Sequence, residues 1–337
     1  MRAVCLHEQG GIQSLTLEEN YTDPQAGEGQ VIIRVRATSL NYHDVFTCRG
    51  MPGIKIPMPM IIGLDVAGEI SEVGAGVNDW NIGDRVLINP LDPTDPSKGL
   101  MGEMLPGGTA EYCLVDATRL ITIPKGCSYE QAAALPVAYG TAHRMMIANG
   151  GLKGGERVLI LGASGGVGSC CVLLAKAMGC EVVACGSTKD KLKALTEWGA
   201  DHVINYKEED FTKAIWTKFG KPHRRKFEGG VDVVINFTGG DTWVPSFKVT
   251  RRGGKILTCG ATAGFDPKTD LRYVWTFELK ILGSNSWLPE DLETLMAMIS
   301  EGKLSPIIDT VLPLDKTAEG VKLLEDRKVI GKIIITP

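Results

Sequence analysis

"VLILGASGGVGSCC", residues 158–171, is the stretch from which the fold is read. Val158–Leu161 is an apolar run of strand length. Gly162 and the small residues "ASGGVG" follow it, and an apolar helix-forming run begins directly after them. Small residues between a strand and a helix let the backbone approach a ligand closely. The helix start adds unpaired N–H groups and the positive end of a dipole, which together suit a pyrophosphate. Ala163 takes the first glycine place of the dinucleotide fingerprint and Gly165 and Gly168 the second and third, with Ser164, Gly166 and Val167 filling the turn. A lone glycine pattern is weak; here the strand–turn–helix context and a following strand supply the expected setting. The plain alternative is a structural glycine turn.

The same alternation continues outward. "EVVACG" (181–186), "HVIN" (202–205), "VDVVINF" (231–237) and "GGKILTCG" (253–260) read as strands, and "KDKLKALTEWG" (189–199) as a helix. Strands alternating with helices imply a parallel sheet covered on both faces. Towards the C-terminus come "ELKILGSN" (278–285), the helical "PEDLETLMAMISEG" (289–302) and a last strand in "GKIIITP" (331–337). Residues before about 125 are β-rich instead. "QVIIRVRATSL" (30–40) alternates like a half-buried strand, and "GDRVLIN", "AEYCLVD" and "RLITIP" are short β-branched runs between turn residues. Ser128, with Gln131 three residues later, marks a helix start before an Ala-rich run. "KFGKPHRRKF" (218–227) reads as a solvated basic loop, with phosphate binding as the alternative.

Composition bounds the class. A chain of 337 residues exceeds one ordinary core, so two domains are expected. Hydrophobic content of 44% and charged content of 23% suit a globular enzyme, and the net charge of -4 argues against a nucleic-acid partner. No apolar run spans a bilayer and "MRAVCLHEQG" has no signal-peptide core, so no membrane association and a cytoplasmic location are expected. The 9 cysteines form no C-x-x-C pair and mostly sit in apolar runs, which reads as buried thiols.

The end of the second strand selects the dinucleotide. An NAD site places Asp or Glu there to hold the ribose 2′-hydroxyl. Here Gly186 and Ser187 close the strand and Lys189 and Lys191 follow. Small, hydroxyl and cationic groups suit a 2′-phosphate, so NADPH is expected rather than NADH. The bland alternative is that the two lysines merely open a solvated helix.

"GLDVAGEISEVGAGV" (63–77), "GDRV" (83–86), "AALPVAYGTAHRMM" (133–146), "VLILGASGGVG" and "GADHVINY" (199–206) together resemble a medium-chain dehydrogenase/reductase over essentially the whole chain, in the branch of NADPH:quinone oxidoreductases and enoyl reductases. The resemblance implies an α/β fold: a GroES-like β-rich catalytic domain plus a Rossmann doubly wound parallel sheet, with the active site in the cleft between them. The expected division is 1–126 for the first part of the catalytic domain, 127–270 for the Rossmann domain, and 271–337 for the end of its sheet and the return. The resemblance also implies cofactor contacts from Thr141, Tyr206, Gly260, Ala261 and Lys332. It implies a homodimer or homotetramer, with "ELKILGSN" as the strand joining two sheets.

Zinc-dependent relatives carry a His–Glu pair after the glycine of the "GLDVAG" segment and a Cys in the preceding loop. Leu64, Asp65 and Asn41 stand there instead, and the third ligand, a Cys before "YGTA", is missing. The four-cysteine zinc lobe would fall on "PLDPTDPSKGLMGEML", which has no Cys. Neither zinc site is therefore expected, and Asp65 reads as a buried hydrogen-bond acceptor. The "NYHD" segment offers Asn41, Tyr42 and His43 as candidate catalytic donors; its alternative is a loop packing under the cofactor with Asp44 capping it. Tyrosines that relatives carry further along match Phe46 and Pro52 here. The expected function is NADPH-dependent reduction of an enone, quinone or short enoyl-thioester such as acryloyl-CoA. The alternatives are a metal-independent alcohol or aldehyde oxidoreductase and a non-catalytic NADPH-binding protein.

Overall fold

The β-branched runs of the first part of the chain form β1 (Ala3–Leu6), β2 (Leu15–Glu18), β3 (Gln30–Leu40), β4 (Met60–Ile61), β5 (Asp65–Val73), β6 (Arg85–Ile88), β7 (Tyr112–Asp116) and β8 (Leu120–Thr122). The computed structural model describes every residue except Pro52. The "NYHD" segment is not a loop but the start of a helix, α1 (Tyr42–Arg49), with Asn41 as its N-cap residue. Helix α2 (Tyr129–Ala133) opens with the expected reciprocal cap. Ser128 Oγ accepts the Gln131 N–H at 3.2 Å, and Gln131 Oε1 accepts the Ser128 N–H at 2.9 Å.

The middle of the chain begins with a three-residue helical turn, α3 (Thr141–His143). It continues through β9 (Arg157–Ile160), α4 (Gly166–Ala177), β10 (Glu181–Gly186), α5 (Lys189–Glu197), β11 (His202–Asn205), α6 (Phe211–Phe219), β12 (Val231–Ile235), α7 (Trp243–Val249), β13 (Thr250–Thr258), α8 (Leu271–Thr276) and β14 (Lys280–Gly283). Its strands make one parallel sheet in the order β11-β10-β9-β12-β13-β14. The order reverses between β9 and β12, the switch point at which such sheets bind ligands. The core on which α6 and α7 pack is Leu159, Val183, Ile204, Ile215, Val234 and Phe247. Helix α6 ends at Phe219, so the basic segment begins on a helix; from Lys221 it is almost wholly exposed.

The chain closes with α9 (Pro289–Ser300), β15 (Ile308–Pro313), α10 (Thr317–Glu325) and β16 (Lys332–Thr336). β15 and β16 join a sheet in the order β15-β16-β3-β5-β6-β8, with β7 also paired to β3. Two compact units result: Met1–Gly140 with Leu288–Pro337, and Thr141–Trp287. Strand β3 is not the half-buried ribbon its polar pattern suggests. Val31–Ile33 and Ala37–Leu40 are buried throughout, because β5, β7 and β16 line it and both its faces are covered at its ends.

None of the nine cysteines is in a disulfide, and eight are buried. Burial pushes the Cys113 and Cys185 thiols up to about 12, so they behave as apolar fillers. Among the described residues no helix is long and apolar enough to cross a membrane.

Candidate active site

Candidate residues gather in each unit separately. In the unit Thr141–Trp287, the parallel strands deliver their C-terminal ends to one edge. The left-handed turn after β9 falls on Gly162, at φ 68°, so Ala163 needs no glycine freedom and is simply buried. Gly165 precedes α4, and a Cβ there would meet only the Gly162 carbonyl oxygen, at 3.8 Å; its side faces open space. Gly168 has no such room, because a Cβ would lie 2.3 Å from Gly162 O and 2.6 Å from Ala163 Cα. The helix therefore packs tightly on the strand, and no side chain caps its N-terminus at Gly165.

Beside this turn, β10 ends at Gly186, whose carbonyl accepts the Tyr206 N–H at 3.1 Å. The β10–β11 register thus brings Gly186, Ser187 and Tyr206 together. Thr188 caps α5 by accepting the Lys191 N–H at 3.3 Å, which places Lys189 on its exposed first turn. Gly260 and the half-buried Ala261 follow β13 at the same edge of the sheet, and α3, with Thr141, packs against α4. No carboxylate ends β10 at Gly186, and the open side of Gly165 leaves room for a phosphate, so these residues fit a nicotinamide dinucleotide.

The other unit holds Asn41, Tyr42, His43 and Lys332. The β3–β5 register sets Ser39 opposite Asp65, and the β16–β3 register sets Ile333 opposite Leu40. Asp65 is fully buried and accepts from Ser39 Oγ at 2.8 Å, Asn41 Nδ2 at 2.8 Å and the Val137 N–H at 3.0 Å. Lys332 Nζ lies 3.3 Å from the same carboxylate and donates to Asn41 Oδ1 at 2.5 Å and to Leu40 O at 3.0 Å. Burial lowers the Lys332 pKa, and Asp65 opposes that shift. Both polar ends of the Asn41 amide are thus engaged. Lys332, expected at the cofactor, is a buried partner of Asn41 and Asp65.

Asp44 ties the start of α1 down. Its Oδ2 accepts the Asn41 N–H at 2.7 Å and its Oδ1 the Gly63 N–H at 3.0 Å. Burial pushes this carboxyl up to about 6, against the downward pull of those two donors and of His43. Tyr42 packs on the core of Leu40, Val45 and Ile333, edge-on to Phe46 at 5.1 Å between ring centroids. His43 points elsewhere: its Nε2 lies 2.8 Å from Glu103 Oε2. Phe46 sits in α1, and Pro52, at the second expected tyrosine place, lies outside the described residues.

Sequence reading missed Gly162, Thr188, Gly63 and Glu103. The first two carry local signals, a glycine ending a strand and a Thr opening a helix. Glu103 carries none, because only the fold brings it to His43. Among the described residues no group of three or more His, Cys, Asp or Glu could hold a metal ion.

Two family models match the chain: "Alcohol dehydrogenase GroES-like domain" over residues 27–125 and "Zinc-binding dehydrogenase" over residues 166–301. An acryloyl-coenzyme A reductase of Sulfurisphaera tokodaii is 32% identical over 355 residues, covering 100% of both chains. A crotonyl-CoA reductase of Streptomyces avermitilis is 32% identical, covering 88% of this chain and 76% of its own. A solved structure described as an NAD-dependent alcohol dehydrogenase is 33% identical, covers 100% of each chain and superposes with a TM-score of 0.91.

Proposed function

The chain belongs to the medium-chain dehydrogenase/reductase family, and on that premise we propose that it is a zinc-independent, NADPH-dependent reductase of a carbon–carbon double bond conjugated to a carbonyl. Enones, quinones and short enoyl-thioesters of the acryloyl-CoA kind are the substrate class. The observation that carries this reading is the set of residues at the family's metal position. Leu64 offers no ligand atom, and Asn41 is locked to Asp65 and Lys332. That donor set does not fit zinc, which needs three protein ligands at a catalytic site. Reduction of a polarised double bond needs less electrophilic help than alcohol dehydrogenation, and relatives named acryloyl-coenzyme A and crotonyl-CoA reductases support the substrate class.

Gly165, Gly166, Val167 and Gly168 would hold the pyrophosphate, and Ser187, Lys189, Lys191 and Tyr206 the 2′-phosphate. Thr141, Ala163, Ser164, Gly186, Gly260 and Ala261 would shape the approach. NADPH bound there supplies the hydride. Asn41 and Lys332 hold the start of α1 fixed, and His43, a quarter exposed with its Nε2 buried against Glu103, offers a proton at Nδ1. Strand β14, exposed along nearly its full length at the sheet edge, is the proposed joint of a homodimer or a larger homo-oligomer.

NADPH oxidation measured against a panel of enones, quinones and enoyl-thioesters tests the reading; turnover of at least one class is expected, and turnover of none, with tight NADPH binding, would support a non-catalytic binding protein instead. A second reading, a metal-independent alcohol or aldehyde oxidoreductase, has support from the solved relative described as an NAD-dependent alcohol dehydrogenase. It requires NAD(P)+-dependent oxidation of alcohols faster than reduction of any enone.

A further inference from the structure

We propose that Glu103 is a positioning residue for proton delivery, holding the His43 imidazole with Nε2 towards its carboxylate; the inference rests on the reductase reading above. Nε2 lies 2.8 Å from Glu103 Oε2, with the two side chains 25% and 12% exposed. The Nε2 atom is buried and makes no aligned hydrogen bond, so its contact with Glu103 is one of ion-pair distance and leaves the other ring nitrogen for substrate.

The contact is built rather than incidental, since a single backbone node fixes both partners. Gly63 donates to Asp44, which anchors the helix carrying His43. The turn carrying Glu103 lies against the same glycine. A Cβ on Gly102 would come 3.2 Å from Gly63 N, and one on Gly107 would come 2.2 Å from Gly63 O. The turn is closed by Gly102 N–H to Leu105 O at 2.7 Å and Met104 N–H to Leu100 O at 2.8 Å. Behind it, the buried Arg119 binds Pro90 O at 2.6 Å and Gly99 O at 3.2 Å. The other charged groups around the start of α1 are Asp44, Asp65 and Lys332, and Asp65 and Lys332 are paired to each other.

In the step, hydride addition forms a C–H bond at the β-carbon, and the π electron pair moves onto the α-carbon and carbonyl oxygen as an enolate. The alkene gains two electrons, which the reduced nicotinamide loses. The α-carbon then bonds to the Nδ1 proton, on the ring nitrogen that Glu103 does not face, while the N–H electron pair returns to the ring. The His43–Glu103 pair regains a proton from water.

The test is Glu103→Gln, which keeps the volume and removes the charge. In cofactor-free protein labelled with ¹⁵N-histidine, the His43 Nε2 resonance should report a protonated, carboxylate-bound nitrogen, and it should shift in Glu103→Gln. Turnover of an enone should fall about 10- to 100-fold with KM unchanged, and the His43→Gln/Glu103→Gln double variant should be no slower than His43→Gln alone. An unchanged imidazole spectrum in Glu103→Gln overturns the pairing. A changed spectrum with unchanged turnover overturns the delivery role. If the wild-type protein reduces no acceptor, the reductase reading fails, and with it the delivery role, while the spectrum still decides whether Glu103 positions His43.

Discussion

Lys332 Nζ stands 3.3 Å from Asp65 Oδ2 with both side chains sealed from solvent, and Asn41 bridges them. A buried carboxylate that loses its cation keeps the cost of desolvation without the attraction. Lys332→Met should therefore destabilise the protein by about 3–5 kcal/mol. Asp65→Leu combined with Lys332→Met should recover part of that loss, because no unpaired charge remains. Urea denaturation of the single and double variants measures both; equal stability of Lys332→Met and wild type would remove the anchor role.

Because Asn41, Asp65 and Lys332 satisfy one another and Leu64 has no ligand atom, the purified protein should hold no stoichiometric zinc. Elemental analysis should find well under one zinc per chain, and chelators should leave reductase activity intact. One zinc per chain, with activity lost on chelation, would reverse the assignment.

Much of this was legible in the sequence, and the rest was hidden for physical reasons. β10 and β16 are marked by local β-branched runs, and the Ser128–Gln131 cap is a local contact. Helix α1 escaped notice because "YHDVFTCR" has no apolar stripe; Asp44 fastens it by reaching Gly63, nineteen residues away. Asp65 was readable as a buried acceptor, but Lys332 as its partner was not, since 267 residues separate them and only the strand register joins them. Ala163 takes the first glycine place of the fingerprint, but the left-handed turn falls one residue earlier, at Gly162.

The segment in which relatives carry a zinc lobe is held here by Asp92. This buried carboxylate accepts from Thr94 Oγ1 at 2.6 Å, Thr94 N at 2.8 Å, Thr118 Oγ1 at 2.9 Å and Lys98 Nζ at 3.1 Å. Burial raises its pKa, but the bonds from Thr94, Lys98 and Thr118 outweigh that and hold it well below the ordinary 3.8. A depressed carboxyl contributes stability that is present above its unfolded value and lost as pH falls through the folded one. Asp92→Asn should thus cost about 2–3 kcal/mol at pH 7, and the gap to wild type should close as pH falls below about 4. Urea midpoints at pH 7 and pH 3 give the comparison; a gap independent of pH would mean the charge contributes nothing.

The edge formed by Gly186, Ser187 and Tyr206 should favour NADPH over NADH. Lys191→Ala should weaken NADPH about tenfold, roughly the 1.4 kcal/mol of one charge-assisted contact, and leave NADH unchanged. Gly186→Asp should reverse the preference by repelling the 2′-phosphate. It should also cost stability, because its Cβ would stand 3.0 Å from Leu192 Cδ2 and 3.3 Å from Leu195 Cδ1. Fluorescence titration with each cofactor reads the preference, and equal wild-type affinity for the two would end the argument.

The proton separates Tyr42 from His43. Tyr42 packs its ring on Phe46 and on the core of Leu40 and Ile333, so its phenol belongs to the structure of α1. His43 faces Glu103 and keeps part of its ring exposed. Tyr42→Phe should therefore change turnover by no more than a few-fold. His43→Gln should lower kcat on an enone by about 10²- to 10⁴-fold, the range of a lost general acid. NADPH affinity should hardly move in either variant, since neither residue stands among those proposed to hold the dinucleotide. Single-turnover rates in H₂O and D₂O locate the loss: in His43→Gln the protonation step, and not hydride transfer, should become slow. If both variants turn over like wild type, water quenches the enolate, and "NYHD" serves only to fasten α1 to Gly63.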